Sequence, residues 1–132
     1  MSAPDGPASA RRVLVTGAAG FIGRRLIGSL AADRGDLETL VAMDVREVPS
    51  AQRAPGVEYV VGDVRDAALE DLLRSHRVDA VVHLAAIVTP GRDSTPEEEY
   101  AVDVLGTENV LRACVKTGVR QLIVTSSGAA YG

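Results

Sequence analysis

Short apolar runs alternate with longer helical patterns along most of this chain, and the alternation limits the folds open to it. Five runs rich in Val, Ile and Leu are predicted as strands, at residues 13–16, 37–43, 57–61, 78–84 and 121–125. The segments between them predict helices at 21–32, at 66–76 and at 95–117, the last of which begins with a Thr-Pro-Glu-Glu capping box at 95–98. Strands separated by helices form a parallel sheet through right-handed crossovers. We therefore predict an α/β fold with helices on both faces of the sheet.

A glycine cluster joins the first predicted strand to the first helix, in the order Thr-Gly-Ala-Ala-Gly-Phe-Ile-Gly at residues 16–23. In such a turn Gly17 permits the sharp exit from the strand, Gly20 lets a pyrophosphate approach the bare backbone, and Gly23 lets the helix pack closely on the sheet. The phosphates would lie against free amides at the helix N-terminus. A P-loop ATPase is excluded because the lysine of that motif is missing. The arrangement predicts a Rossmann-type, doubly wound parallel sheet.

An acid at the end of the second predicted strand indicates which dinucleotide is bound. Asp44 follows Gly23 by twenty-one residues, where a carboxylate can accept both hydroxyl groups of an adenosine ribose. A 2′-phosphate beside it would be repelled by roughly 4 kcal/mol at about 4 Å in a surface-like dielectric. NAD is therefore favoured over NADP, although Arg24 and Arg46 are near enough in sequence to weaken the preference. The alternative that Asp44 only ends its strand stays open.

Composition and single residues narrow the remaining possibilities. The net charge of −4 argues against nucleic-acid binding, which would need a clustered basic face. No Cys/His cluster has metal-ligand spacing, and no segment is apolar and long enough for a signal peptide or a membrane span. We interpret Cys114 as an inert buried thiol and His83 as a packed, hydrogen-bonded residue at a strand end. We expect a cytoplasmic protein that binds no nucleic acid, membrane or metal.

Five motifs occur in a fixed order: TGAAGFIG at 16–23, Asp44, GDVRD at 62–66, HLAA at 83–86 and SSGAAYG at 126–132. With them the chain resembles the extended short-chain dehydrogenase/reductase family, and within it the NAD-dependent epimerase/dehydratase branch. The resemblance implies a catalytic serine at Ser127, whose hydroxyl would hydrogen-bond the reacting substrate oxygen. Asp103 stands where the family often has Asn, so its role is open. The implied cofactor contacts are Gly17, Gly20, Phe21, Ile22 and Gly23 at the phosphates, Asp44 at the ribose, Asp63 and Val64 at the adenine, and Ala85 and Ala86 after the fourth strand.

The same resemblance implies hydride transfer between a substrate carbinol and the nicotinamide of NAD, on a small molecule such as a nucleotide sugar. Two alternatives stay open: a non-enzymatic NAD(P)-binding redox sensor, and a steroid or flavonoid-type alcohol dehydrogenase/reductase of the same family. The family's catalytic tyrosine lies in a YxxxK motif, which these residues do not contain. We expect a disordered tail at 1–10 and, at 11–132, an incomplete NAD-binding domain without its C-terminal substrate region. Such a domain would bind NAD without turnover; a homodimer is a further expectation.

Overall fold

The structure is a computed structural model that describes residues 11–84, 95–97 and 101–125, and of 101 and 102 it describes the backbone only. The predicted tail at 1–10 lies outside the described residues. The elements are β1 (Arg12–Thr16), α1 (Phe21–Ala32), β2 (Thr39–Asp44), a 3-10 turn (Ser50–Gln52), β3 (Glu58–Val61), α2 (Ala68–Ser75), β4 (Ala80–His83), a π-helical turn (Ala101–Leu105), α3 (Gly106–Thr117) and β5 (Gln121–Val124).

The five strands form one parallel sheet in the order β3-β2-β1-β4-β5. The order runs outward from β1 in one direction and then resumes on its other side with β4. In sheets of this kind ligands bind in the crevice at the carboxyl ends of the strands, where the order reverses. The predicted Rossmann-type α/β fold is confirmed. A ligand site is therefore expected at the carboxyl ends of β1, β2 and β4.

Both faces of the sheet are covered, because successive strand residues point to opposite sides. On one face Leu14, Val41 and Val81 pack with buried residues of α2 and α3. On the other face Val15 and Ala42 pack with residues of α1. Burial on two faces explains why the strands are apolar in nearly every position rather than at alternate ones.

Where the structure describes them, the helices lie within their predicted ranges: α2, predicted at 66–76, is Ala68–Ser75, and two larger differences follow. Phe21 and Ile22, which the spacing made available for the apolar face of α1, are 68% and 61% exposed. They lie in the first turn of α1, directly after the glycine turn that links it to β1. The buried face of the helix is formed by Ile27, with Leu26 and Leu30 half-buried. The helix predicted at 95–117 contains the π-helical turn Ala101–Leu105 before α3 begins. It ends as predicted at Gly118, whose backbone is left-handed with φ of 79°.

Candidate functional site

The turn between β1 and α1 is held by its own backbone. Gly17 has a φ of 71°, in the left-handed region that favours glycine. Its carbonyl accepts the Gly20 amide at 3.1 Å, and the Ala18 amide donates to the Met43 carbonyl at 3.1 Å. One hydrogen bond therefore closes the turn, and the other attaches it to the end of β2.

The packing of the protein requires glycine at position 23 but not at position 20. A Cβ on Gly23 would lie 2.1 Å from the Gly17 carbonyl oxygen and 2.9 Å from the Ala18 Cα. The fold itself therefore requires glycine at 23, since α1 could not approach the turn otherwise. A Cβ on Gly20 would meet the Gly17 oxygen at 3.4 Å, an ordinary contact, and its φ of −77° suits any residue. The polypeptide has room for a methyl group at 20, so folding alone does not require glycine there.

The backbone amides that follow Gly20 in the chain open helix α1. The first hydrogen bond into α1 is donated by the Arg24 amide to the Gly20 carbonyl at 3.0 Å. Within the described residues the amides of Phe21, Ile22 and Gly23 donate to no backbone carbonyl, and no side chain caps the helix. Unpaired amides and the positive end of a helix dipole attract anions such as phosphate.

Asp44 lies beside this turn, at the end of the neighbouring strand. Its side chain is only 8% exposed, and its two oxygens accept the amides of Ala19 and Arg46, each at 2.9 Å. The carboxylate thus joins the glycine turn to the loop after β2. Each carboxylate oxygen can accept more than one donor, so a ribose hydroxyl can still be bound there.

The predicted adenine contacts lie on the next loop, after β3. The Gly62 amide donates to the Asp44 carbonyl at 3.0 Å, which places this loop next to Asp44. The Asp63 carboxylate is one-third exposed and pairs with Arg65. That side-chain hydrogen bond is the main reason why the pKa of Asp63 is lowered, against an opposing effect of burial. Val64 is 4% exposed and its side chain belongs to the core, so only its backbone is left to meet a ligand.

Asn109 of α3 is a residue that the sequence reasoning missed. Its side-chain amide donates to the carbonyl oxygens of Val64 at 2.7 Å and Asp66 at 3.0 Å. No local pattern indicates this contact, because the partners lie 45 and 43 residues away in sequence.

His83 lies between the strand ends and α3 in a chain of hydrogen bonds, as expected for a packed strand-end residue. Thr107 donates to the Asp103 carbonyl at 2.7 Å, so its oxygen accepts from Nε2 of His83 at 3.1 Å. Nδ1 is then left as an acceptor for the hydroxyl of Thr16 at 2.8 Å, and Thr16 itself accepts the Leu84 amide. Burial lowers the pKa of His83, with an opposing effect of the Asp103 charge. Burial and these partners favour the neutral imidazole, which links β1, β4 and α3.

The structure brings together the glycine turn, Asp44, Asp63 and Val64 at one edge of the sheet. Ala85, Ala86 and Ser127 lie outside the described residues. Within the described part of the chain no group of three or more His, Cys, Asp or Glu side chains could hold a metal ion. In the same part, no helix is both long and apolar enough to cross a membrane.

Comparison with known proteins identifies the family. The sequence profile of the NAD dependent epimerase/dehydratase family matches residues 13–132. The chain belongs to this family. A UDP-glucose 4-epimerase of Mycolicibacterium smegmatis is 37% identical over 126 residues, which cover 92% of this chain and 40% of the relative. The chain therefore spans about two-fifths of the length of curated relatives such as this one.

Solved structures of other proteins agree with the membership in this family. The Bordetella bronchiseptica enzyme WbmG in complex with NAD and UDP matches with a TM-score of 0.77 and 31% identity, over 94% of this chain and 40% of that one. The Thermus thermophilus UDP-glucose 4-epimerase in complex with NAD matches with a TM-score of 0.68 and 35% identity, over 84% and 36% of the two chains. NAD is thus the cofactor of the family and of both of these relatives.

Proposed function

We propose that this chain binds NAD at the carboxyl edge of β1 and β2, as the cofactor-binding part of an oxidoreductase that acts on a nucleotide sugar. Membership in the family supports the cofactor. The names of the relatives support the substrate class, since they include UDP-glucose 4-epimerases and an enzyme solved with UDP.

One observation carries the proposal: residue 20 is glycine although the surrounding protein atoms leave room for the methyl group of an alanine. Among the described residues, no backbone carbonyl accepts the amides of Phe21, Ile22 and Gly23, which follow that glycine in the chain. A ligand that presses an anionic group onto the helix N-terminus accounts for both features.

Each part of the site has a distinct task in this proposal. The amides of Phe21, Ile22 and Gly23 bind the pyrophosphate, and the Asp44 carboxylate accepts the hydroxyl groups of the adenosine ribose. The same carboxylate repels a 2′-phosphate, which favours NAD over NADP, and the Arg46 guanidinium, 3.5 Å from the carboxylate, reduces that preference. The Asp63 side chain, which pairs with Arg65, accepts the exocyclic amine of adenine.

Bound NAD would supply the hydride acceptor and donor for oxidation and reduction of a substrate carbinol. Ala85 and Ala86 are proposed to leave room for the cofactor beyond β4. Ser127 is proposed as the catalytic hydroxyl that hydrogen-bonds the reacting substrate oxygen.

The test is calorimetric titration of NAD into the unsubstituted chain and two variants, Gly20→Ala and Gly28→Ala. Gly20→Ala changes only the helix N-cap, at a cost of about 1 kcal/mol or less in stability, but it obstructs the phosphates and should weaken NAD binding at least tenfold. Gly28 lies in the same helix with nothing within 4 Å of a new Cβ, so Gly28→Ala should bind NAD as the unsubstituted chain does. NAD affinity that Gly20→Ala leaves unchanged would contradict the proposal.

A further inference from the structure

The loop at 62–66 has two sides with different surroundings. Its outer side carries the Asp63 carboxylate, which remains one-third exposed. On its inner side the Val64 side chain is buried in the core that α2 and α3 share. The turn is closed by the Asp66 amide, which donates to the Asp63 carbonyl at 2.9 Å. Contacts on the inner side of the loop therefore also determine the position of the Asp63 carboxylate and of the Val64 backbone.

Asn109 makes that connection from the first turn of α3. Its amide nitrogen lies 2.7 Å from the Val64 oxygen and 3.0 Å from the Asp66 oxygen. Only the NH2 end of the side chain can face two carbonyl oxygens, because the amide oxygen would be repelled by both. Both of its protons are used on one loop, so the contact holds two backbone positions of that loop at once.

The buried Val64 side chain and the hydrogen bond from the Gly62 amide to the Asp44 carbonyl also hold this loop. It follows β3, which is the edge strand of the sheet and pairs only with β2 in the described residues. The ion pair of Asp63 with Arg65 lies within the loop and on its exposed side, so it cannot tie the loop to the body of the protein. Asn109 provides a side-chain link between this loop and a helix packed on the sheet.

We propose that Asn109 is a positioning residue for the adenine end of the cofactor site. The proposal rests on the proposed binding of NAD. Asn109 does not touch the ligand; it presets the loop so that the Asp63 carboxylate and the Val64 backbone meet the adenine ring without a further ordering cost on binding. Loss of the contact would weaken ligands that carry adenine and spare ligands that lack it.

The experiment compares Asn109→Ala with Glu108→Ala, which changes an exposed neighbour on the same helical turn. Each protein is titrated with NAD, ADP-ribose and nicotinamide mononucleotide, and binding is followed by NMR chemical shifts so that weak affinities are measured. Asn109→Ala should weaken NAD and ADP-ribose about tenfold and leave the affinity for nicotinamide mononucleotide within about twofold. Glu108→Ala should match the unsubstituted chain for all three ligands.

A second measurement covers the case in which Asn109→Ala folds poorly. Asn109→Ser keeps a polar side chain too short to reach both carbonyls, and it should show the same loss for adenine ligands with faster amide hydrogen exchange at residues 63–66. Equal weakening of all three ligands, or no change in NAD affinity, would overturn the role of Asn109 while leaving NAD binding intact. Failure of the unsubstituted chain to bind NAD would overturn the proposed function and this inference with it.

Discussion

Alanine at position 23 places a methyl carbon where the structure has no room for one. The ideal Cβ would lie 2.1 Å from the Gly17 carbonyl oxygen, whereas an ordinary contact begins at 3.4 Å. The helix or the turn must therefore move by about 1.3 Å. The atoms in the way are backbone atoms, and Gly17 is held by its bond from Gly20 while Ala18 is bonded to Met43. Neither can yield as a flexible side chain would.

The expected cost follows from that geometry. Overpacking a closely packed site costs about 1–3 kcal/mol, and the rigid surroundings place Gly23→Ala at the upper end. Replacing glycine by alanine within a helix gains about 1 kcal/mol, so the net loss in the free energy of unfolding is about 2 kcal/mol. Gly28→Ala, in the same helix with open space around it, receives the gain alone and should be stabilised by about 0.5–1 kcal/mol.

The assay is urea unfolding followed by circular dichroism on the unsubstituted chain and both variants. The difference of about 3 kcal/mol between Gly28→Ala and Gly23→Ala isolates the steric term, because both changes alter helix propensity equally. Two variants of equal stability would refute the inference that α1 packs against the turn through Gly23.

Two further predictions concern side chains away from the glycine turn. Burial raises the pKa of the Cys114 thiol to about 11, so at pH 8 iodoacetamide should alkylate it about a hundredfold more slowly in the folded chain than in urea; equal rates would contradict its burial. Burial of the His76 ring opposes charge, but the hydrogen bond to Glu58 and the one to the Leu72 carbonyl outweigh it and raise the pKa of His76 above 6.5. The pair therefore stabilises the fold below about pH 6.5, by less than about 1 kcal/mol because Glu58 is largely exposed, and this contribution disappears as the pH rises through the folded-state pKa. Unfolding free energies of Glu58→Gln and the unsubstituted chain should differ at pH 5.5 and converge at pH 8.5; a constant difference would be inconsistent with the pair.

The two histidines show how hydrogen-bond partners assign opposite charge states to the same residue type. Both ring nitrogens of His76 face acceptors, the Glu58 carboxylate at 2.7 Å and the Leu72 carbonyl at 3.1 Å. Nδ1 of His83 instead faces a hydroxyl that can donate to it, in a buried setting. The first arrangement favours the imidazolium and the second the neutral ring.

Periodicity predicted the strands and helices because burial on two faces leaves a strong pattern in the sequence. The predicted strand at 78–84 is observed as Ala80–His83, and α1 begins and ends within the range that its spacing indicated. The exposure of Phe21 and Ile22 was not predicted, since apolar spacing does not show which turns of a helix another element covers. The π-helical turn Ala101–Leu105 also has no counterpart in a 3.6-residue period.

The sequence indicated the parts of the candidate site that lie within one short segment. It did not indicate the contacts between residues that are far apart in the chain. The glycine turn could be interpreted residue by residue because each task is fixed by a short segment. Asp44 was predicted to face a ribose, yet its bond to the Ala19 amide joins residues 25 apart. The contact of Asn109 with the loop after β3 spans an even longer separation. Such contacts depend on how the helices pack, which spacing along the chain does not encode.

The measurement that tests the central claim most directly is a titration of NAD into isotope-labelled chain, followed by amide chemical shifts. The account predicts the largest shifts at the amides of Phe21, Ile22 and Gly23, with a second group at Ala19 and at residues 63–64. Saturating shifts at these positions would place the pyrophosphate on α1 and the adenosine beside Asp44. Shifts that leave the α1 amides unchanged, or no shifts at millimolar NAD, would contradict the account.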